Sequence, residues 1–222
     1  MLLKIGHRGA KAYETENTLE SFSKAIELGA NAIELDVRMS ADDQVIVSHD
    51  DSLKKVYAKD TLIRGATLQE LKALTGGRIA TLQEALHAIG RKVEKILVEL
   101  KESGYEHKVL EIIRQEELED RVILVSFLGD ALARVRALHP TIETGLVYNR
   151  LGNPIEAALK VNARYLLPLY RFVHRRDIAK AHRSNLKVIV WTVNSRAEAE
   201  NFAAKDADGI ATDKPDIFQG IS

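Results

Sequence analysis

The segment AIELDVRMSADDQVIVSHD carries two carboxylates and a histidine at a spacing that could bring them together. Its apolar runs at residues 32–37 and 45–49 predict two short strands, and the SADD sequence between them predicts a turn. If that turn is centred between its two aspartates, Asp36 lies directly opposite His49 on an antiparallel pair. Glu34 shares this face because strand side chains alternate. Two acids on an otherwise apolar strand need a compensating charge, and a shared divalent cation supplies it most simply.

Polar side chains end other apolar runs in the same manner. His7 and Arg8 follow the first run, and Glu99 and Lys101 lie two apart in ILVELK, on one face. Carboxylate oxygens suit Mg²⁺ or Ca²⁺, and the chain has no cysteine that would favour zinc. Histidines titrate near neutral pH and can work as an acid and base pair, while the two cations can hold an anion such as phosphate. Together these residue types describe metal-assisted attack on a phosphoester.

The elements that must position these side chains alternate regularly along the chain. Strand-like apolar runs occur at residues 3–7, 32–37, 95–101, 122–127, 143–147, 164–168, 188–193 and 208–212. Helical patterns lie between most of them, and two begin with Thr-x-x-Glu capping boxes, at Thr67 and Thr81. The strand runs are continuously apolar, which is typical of a parallel sheet buried on both faces. Eight such strands alternating with helices predict a (β/α)8 TIM barrel, with an open doubly wound sheet as the alternative.

The pattern predicts a single domain spanning residues 1–222. We interpret the strand at 45–49 as a hairpin arm after strand two, and residues 51–65 as a short irregular insertion over the barrel mouth. In such a barrel the site lies at the carboxyl ends of the strands, where all the polar positions above are found. The sequence has no Gly-x-Gly-x-x-Gly phosphate loop, which argues against a dinucleotide fold.

Charge and apolar pattern exclude several classes of function. The 32 Lys and Arg residues balance 32 Asp and Glu residues, so no overall basic field exists to hold nucleic acid or an anionic membrane. The sequence has no long apolar run and no signal-peptide pattern, so we expect no stable membrane insertion. The lack of cysteine excludes disulfides and thiol catalysis and is typical of a cytoplasmic protein. The oligomeric state is left open.

Eight short motifs follow one another in a fixed order along almost the whole chain. They are HRG at 7–9, ENT at 16–18, ELDV at 34–37, HDDSL at 49–53, ELK at 99–101, SF at 126–127, WTVN at 191–194 and GIATDKP at 209–215. In this order the sequence resembles the glycerophosphodiester phosphodiesterase family. It departs from that family after Asp50, where Lys-Lys-Val-Tyr replaces an Arg-Thr-Thr-like segment that would shape the alcohol side of the pocket.

The resemblance implies a TIM-barrel enzyme that uses a divalent cation, Mg²⁺ or Ca²⁺, to hydrolyse glycerophosphodiesters to glycerol phosphate and an alcohol. By the same resemblance, the metal is bound by Glu34, Asp36 and Glu99, and the acid and base are His7 and His49. The resemblance also implies that the phosphate is held by Arg8 and Lys101. It further implies that Trp191 packs on the glycerol and that Asn17 orients neighbouring groups. The nucleophile is either water or the substrate's own adjacent hydroxyl, which would form a cyclic phosphate. The expected partner is a small glycerophosphodiester.

Three other interpretations compete with this one. The chain could be a non-catalytic barrel that binds a phosphorylated ligand or a partner and keeps these residues as relics. A degenerate barrel of that kind would be expected to lose at least one of the polar positions, and none is lost. As a purely structural alternative, an internal salt-bridge network that holds the barrel together could be formed by Glu34, Asp36, Glu99 and Lys101. The chain could also be a phospholipase of the same superfamily that acts on intact lipid or on inositol head groups. The absence of a secretion signal, of disulfides and of an apolar membrane segment disfavours this interpretation.

Overall fold

The computed structural model describes residues 1–149 and 152–221, and in these residues a single sheet closes on itself. In chain order its strands are β1 (Leu3–His7), β2 (Ala32–Met39), β3 (Val45–Val47), β4 (Lys95–Leu100), β5 (Val122–Ser126), β6 (Glu143–Tyr148), β7 (Tyr165–Pro168), β8 (Lys187–Val190) and β9 (Gly209–Thr212). All of them except β3 are parallel, and β1 closes the barrel by pairing with both β2 and β9. The predicted eight-stranded TIM barrel is confirmed, and the open-sheet alternative is wrong.

Helices follow most of the barrel strands and form the outer layer. They are α1 (Leu19–Glu27), α2 (Lys54–Tyr57), α3 (Leu68–Leu74), α4 (Leu82–Ile89), α5 (Glu106–Gln115), α6 (Gly129–Leu138), α7 (Pro154–Lys160), α8 (Arg175–Arg183) and α9 (Arg196–Ala203). The capping boxes predicted at Thr67 and Thr81 are both present, and each threonine caps the helix that follows it. None of the helices in the described residues has the length and apolar character needed to cross a bilayer.

Side chains alternate along each barrel strand between the interior and the helix layer. The interior is filled by Ile5, Ala32, Leu97, Ile123, Val125, Val147, Tyr165, Leu167, Ile189 and Ala211. The same alternation continues toward the carboxyl ends of the strands. On β2, Glu34 and Asp36 follow Ala32 on the interior face, and on β4, Glu99 follows Leu97. The acidic side chains therefore enter the carboxyl end of the barrel, above an apolar interior.

The β2–β3 hairpin is paired one residue away from the predicted register. Val37 lies opposite Val47, and the Ser48 amide donates to the Asp36 carbonyl at 2.9 Å. Asp36 is thus opposite Ser48, and the predicted pairing of Asp36 with His49 is wrong. His49 is placed at the site by the bend that follows β3, which ends at Val47, and not by pairing with β2.

The length of the hairpin loop explains this shift. The Ser40 amide donates to the Gln44 carbonyl at 3.0 Å, and the Gln44 amide donates to Ser40 Oγ at 2.9 Å. These bonds enclose three residues, and Asp43 has the left-handed conformation (φ 59°) that commonly ends a three-residue hairpin loop. The prediction had centred the turn between two residues, as in an even-numbered loop.

Residues 51–65 are more regular than the sequence predicts. They contain the one-turn helix α2 and a 3₁₀ turn at Ile63–Gly65. Leu53 and Ile63 are buried in a separate apolar cluster that includes Ile46 of β3. The insertion therefore packs against the hairpin arm that leads to His49.

Candidate active site

Three carboxylates converge at the carboxyl end of the barrel. The β2–β4 register places Asp36 beside Glu99, and the β1–β2 register places Glu34 beside His7. One oxygen from each of Glu34, Asp36 and Glu99 lies within 4.8 Å of the others. The structure thus brings together the three residues that the sequence predicts as metal ligands.

The proton affinities of these acids differ according to their neighbours. Burial raises the pKa of Glu34 well above its usual value, and the charges of Asp36 and Glu99 raise it further. Burial, followed by the charge of Asp36, raises the pKa of Glu99 to about 7. Burial opposes ionisation of Asp36 as well, but the charges of Arg8 and Lys101 outweigh it and lower the pKa. The neighbouring cations therefore favour the ionised form of Asp36, whereas the ionised forms of Glu34 and Glu99 lack enough positive charge nearby.

The cluster has the properties of a binding site for a hard cation. Asp36 Oδ1 is buried and accepts no hydrogen bond from the described residues. The Nζ of Lys101 lies 3.5 Å from this oxygen and donates to Glu99 Oε1 at 2.8 Å. Three carboxylates share two cations, and one of these, Arg8, is also paired with Glu16. An all-oxygen set of this kind fits Mg²⁺ or Ca²⁺.

His7 is held by an acid that the sequence analysis assigned no role. Its Nδ1 lies 2.7 Å from Asp213 Oδ1, and Asn194 Nδ2 donates to the other Asp213 oxygen at 2.8 Å. Burial opposes ionisation of Asp213, but the hydrogen bond and charge of His7 lower its pKa to about 2. The Nδ1 contact leaves Nε2 free, 3.9 Å from Glu34 Oε2. The sequence feature that could have identified Asp213 is its position directly after β9, the strand that pairs with β1 and so lies beside His7.

His49 is held in a similar way by its sequence neighbour. Its Nδ1 lies 2.7 Å from Asp50 Oδ1. Burial lowers the pKa of His49, and the charges of Arg8 and Lys101 act in the same direction against the opposing charge of Asp36. The lowered pKa favours the neutral form of the ring, which is the form that accepts a proton.

Arg8 and Asn17 lie beside the carboxylates. Arg8 donates to Glu16 Oε1 at 2.8 Å through Nη1 and to Glu34 Oε2 at 2.9 Å through its backbone amide. Its Nε lies 3.3 Å from Asp36 Oδ2, and Asn17 Nδ2 donates to the same oxygen at 2.8 Å. Both side chains thus fix the orientation of Asp36. Glu16 is the partner of Arg8 that the sequence analysis did not identify.

A cavity of about 150 Å³ connects these groups. One side of it is polar and contains His7, Arg8, Glu34, His49, Glu99 and Lys101. The opposite side is apolar and includes Trp191, whose Nε1 donates to the Leu167 carbonyl at 2.8 Å. The ring of Phe127 meets Trp191 edge to face at a centroid distance of 5.7 Å. Phe127 lies in the SF motif, and the sequence analysis gave it no role.

The family relationship is established by sequence comparison. Residues 7–217 match the model of the "Glycerophosphoryl diester phosphodiesterase family". A glycerophosphodiester phosphodiesterase of Caldanaerobacter subterraneus subsp. tengcongensis is 32% identical over 232 residues, with 97% of this chain and 96% of that protein covered. A putative glycerophosphodiester phosphodiesterase of Bacillus subtilis, YhdW, is 31% identical, with 96% of this chain and 95% of that protein covered.

Solved structures agree with the sequence comparison. The glycerophosphodiester phosphodiesterase of Thermotoga maritima superposes with a TM-score of 0.89 at 32% identity, covering 100% of this chain and 99% of that one. An Oleispira antarctica phosphodiesterase, solved with the product sn-glycerol-3-phosphate, gives a TM-score of 0.89 at 27% identity, covering 97% and 94%. The chain therefore belongs to the glycerophosphoryl diester phosphodiesterase family, and its enzyme class is that of a glycerophosphodiester phosphodiesterase, as its motifs predicted.

Proposed function

We propose that the protein hydrolyses small glycerophosphodiesters to glycerol phosphate and an alcohol, with a divalent cation held by Glu34, Asp36 and Glu99. The observation that carries this proposal is the convergence of these three carboxylates within 4.8 Å, beside two histidines that line the same cavity. The product sn-glycerol-3-phosphate bound to the Oleispira antarctica relative supports the choice of substrate class. A bound cation would neutralise phosphate charge and lower the pKa of an oxygen nucleophile.

The two histidines carry the proton transfers in this proposal. Asp213 and Asp50 each engage an Nδ1 and leave the corresponding Nε2 of His7 and His49 available for proton transfer. One ring accepts the proton of the attacking hydroxyl or water, and the other donates a proton to the departing alkoxide. Each aspartate fixes the rotation of the ring that it contacts, as the carboxylate of a Ser-His-Asp triad does.

The substrate is held by opposite walls of the cavity. Lys101 and Arg8 supply positive charge to the phosphate from the polar wall. Trp191 offers a flat apolar surface to the carbon atoms of the glycerol, and its ring is fixed by Phe127 and by the hydrogen bond to Leu167. Asn17 keeps Asp36 in the orientation that metal binding requires.

Metal-dependent turnover of glycerophosphocholine tests this function. We expect hydrolysis in Mg²⁺ or Ca²⁺, its loss in EDTA, and a fall in turnover of about 100-fold or more in Glu99→Gln. Glu94→Gln is the matched control, because Glu94 is an exposed acid just before the amino end of the same strand. Wild-type activity that persists in EDTA, or equal activity of Glu99→Gln and Glu94→Gln, would contradict the proposed role of the carboxylates.

A further inference from the structure

Arg38 connects two segments that lie on either side of the carboxylate cluster. It stands two residues beyond Asp36 on the same face of β2, with a side chain only 15% exposed. Its Nε donates to the backbone carbonyl of His49 at 2.9 Å. Its Nη1 donates to Glu102 Oε1 at 2.5 Å. One guanidinium therefore bonds both the turn that carries His49 and the loop that begins after Lys101.

The His49 turn needs such a contact because it lies outside the sheet ladder. β3 ends at Val47, and the last amide bonded to β2 is that of Ser48. Within residues 1–149 and 152–221, the Arg38 guanidinium is the only group that bonds the backbone of His49. The Asp50 contact fixes the rotation of the His49 ring, whereas the Arg38 contact fixes where the residue itself lies.

We propose that Arg38 is a positioning residue that holds His49 at its working distance from the substrate, with Glu102 fixing the guanidinium. This inference rests on the role proposed above for His49. An arginine suits the task because its donors form a rigid planar fork, so two acceptors on different segments are held at a set separation. A lysine at the same place carries the same charge but lacks this fork.

Kinetics of Arg38 variants on glycerophosphocholine test the proposal. Arg38→Met keeps much of the length of the side chain and removes both donors, and we expect kcat to fall about 10- to 100-fold because a displaced catalytic group reacts slowly. KM and the affinity for Mg²⁺, measured by calorimetry, should change less than about twofold, since Arg38 touches neither the substrate nor the metal ligands in this proposal. Arg38→Lys should recover only part of the lost turnover.

Arg121 provides the matched control. It is also half-buried, and its Nη1 donates to a backbone carbonyl, that of Val93, at 2.9 Å. It lies directly before β5, at the amino end of the barrel and away from the cavity. Arg121→Met should therefore retain wild-type kcat, even if it lowers the melting temperature by as much as Arg38→Met does.

A double variant separates action through His49 from a general structural role. If Arg38 acts through His49, then Arg38→Met causes no further loss of kcat in a His49→Ala background. An undiminished loss in that background, an unchanged kcat in Arg38→Met alone, or a loss confined to KM would overturn the proposal. A different result, wild-type kcat in His49→Ala itself, would overturn the role of His49 and with it this inference.

Discussion

The carboxylate of Asp213 holds one of the two histidine rings in the cavity, and its contribution can be measured. Replacing Asp213 by Asn keeps the shape of the side chain but removes the charge that orients the His7 ring. We expect Asp213→Asn to lower kcat by about 10-fold to 10⁴-fold, because loss of the orienting acid costs about 10- to 100-fold at a metal-bound histidine and about 10⁴-fold at a general-base histidine. Steady-state hydrolysis of glycerophosphocholine measures the change.

Asp216 is the control for this prediction. It lies three residues further along the chain and accepts a hydrogen bond from Tyr13 Oη at 2.6 Å on the exposed surface. Asp216→Asn should leave kcat within about twofold of the wild type. Equal losses in the two variants would point to a general effect on the β9 end of the barrel, and would contradict the pairing of Asp213 with His7.

The raised pKa of Glu99 predicts how stability depends on pH in metal-free protein. Between its unfolded value near 4.5 and its folded value of about 7, Glu99 is protonated in the folded state and ionised in the unfolded state. The unfolded state therefore binds fewer protons, and the free energy of unfolding falls as pH rises through this window, by roughly 1–3 kcal/mol. Glu34, whose pKa is also raised, acts in the same direction.

Urea unfolding in EDTA at pH 5 and pH 8 measures this effect. Glu99→Gln cannot ionise, so its stability should fall less than that of the wild type between the two pH values. Addition of Mg²⁺ at pH 8 should restore wild-type stability, because a cation that binds only the folded state stabilises it. An identical pH dependence in the two proteins would show that the carboxylate cluster is not the cause.

The pairing of Glu99 with Lys101 was predictable from their spacing, whereas the pairing of His7 with Asp213 was not predicted. Glu99 and Lys101 share a face by strand alternation alone, and they do form an ion pair. The contact between His7 and Asp213 spans nearly the whole chain and depends on which strands are neighbours when the barrel closes. Local spacing carries no information about that neighbour relation, which follows only when the last strand is paired with the first to close the predicted barrel.

Among the secondary-structure elements, the helix caps were predicted correctly and the register of the hairpin was not. The capping boxes at Thr67 and Thr81 were predictable because their hydrogen bonds lie within four residues of sequence. The register of β2 with β3 depends on whether the loop has an even or odd number of residues, and Asp43 in a left-handed conformation decides this. A single residue of loop length thus moved Asp36 from opposite His49 to opposite Ser48.

The insertion after His49 should contribute to stability through its own apolar cluster. Ile63 is 1% exposed and packs there with Leu53 and with Ile46 of β3. Ile63→Ala removes buried carbon atoms and leaves a cavity, so we expect a loss of about 2–5 kcal/mol in urea unfolding. Leu62→Ala is the control, because Leu62 is 58% exposed and its removal should cost less than about 0.5 kcal/mol.

Hydrogen exchange shows whether the loss is confined to this element. Because the cluster is separate from the main core, amides of residues 52–66 should exchange faster in Ile63→Ala while those of β4 and β5 remain protected. Uniformly faster exchange would mean that the insertion and the barrel unfold as one unit.

The barrel as a whole was predictable because continuous apolar runs require burial on both faces, and eight of them suffice to close a sheet. What the runs do not predict is how the interior is filled. Tyr165 lies almost fully buried in the interior, and the register places Gly145 directly beside it. The space beside Gly145 is taken by the side chain of Leu167 and the Cβ of Tyr165, so a missing side chain on β6 accommodates side chains of β7, a match that depends on strand pairing.

This complementarity predicts that Gly145 tolerates no side chain. A Cβ at Gly145 would lie 2.5 Å from Leu167 Cδ1 and 3.1 Å from Tyr165 Cβ, inside a packed interior with little room to adjust. We expect Gly145→Ala to lower the free energy of unfolding by about 1–3 kcal/mol in urea. Gly152→Ala should change it by less than about 0.5 kcal/mol, because no heavy atom of the described residues, 1–149 and 152–221, lies within 4 Å of its Cβ position. Equal stability of the two variants would mean that Leu167 and the barrel interior shift to accept a methyl group, and that the close packing against Gly145 does not exclude a side chain there.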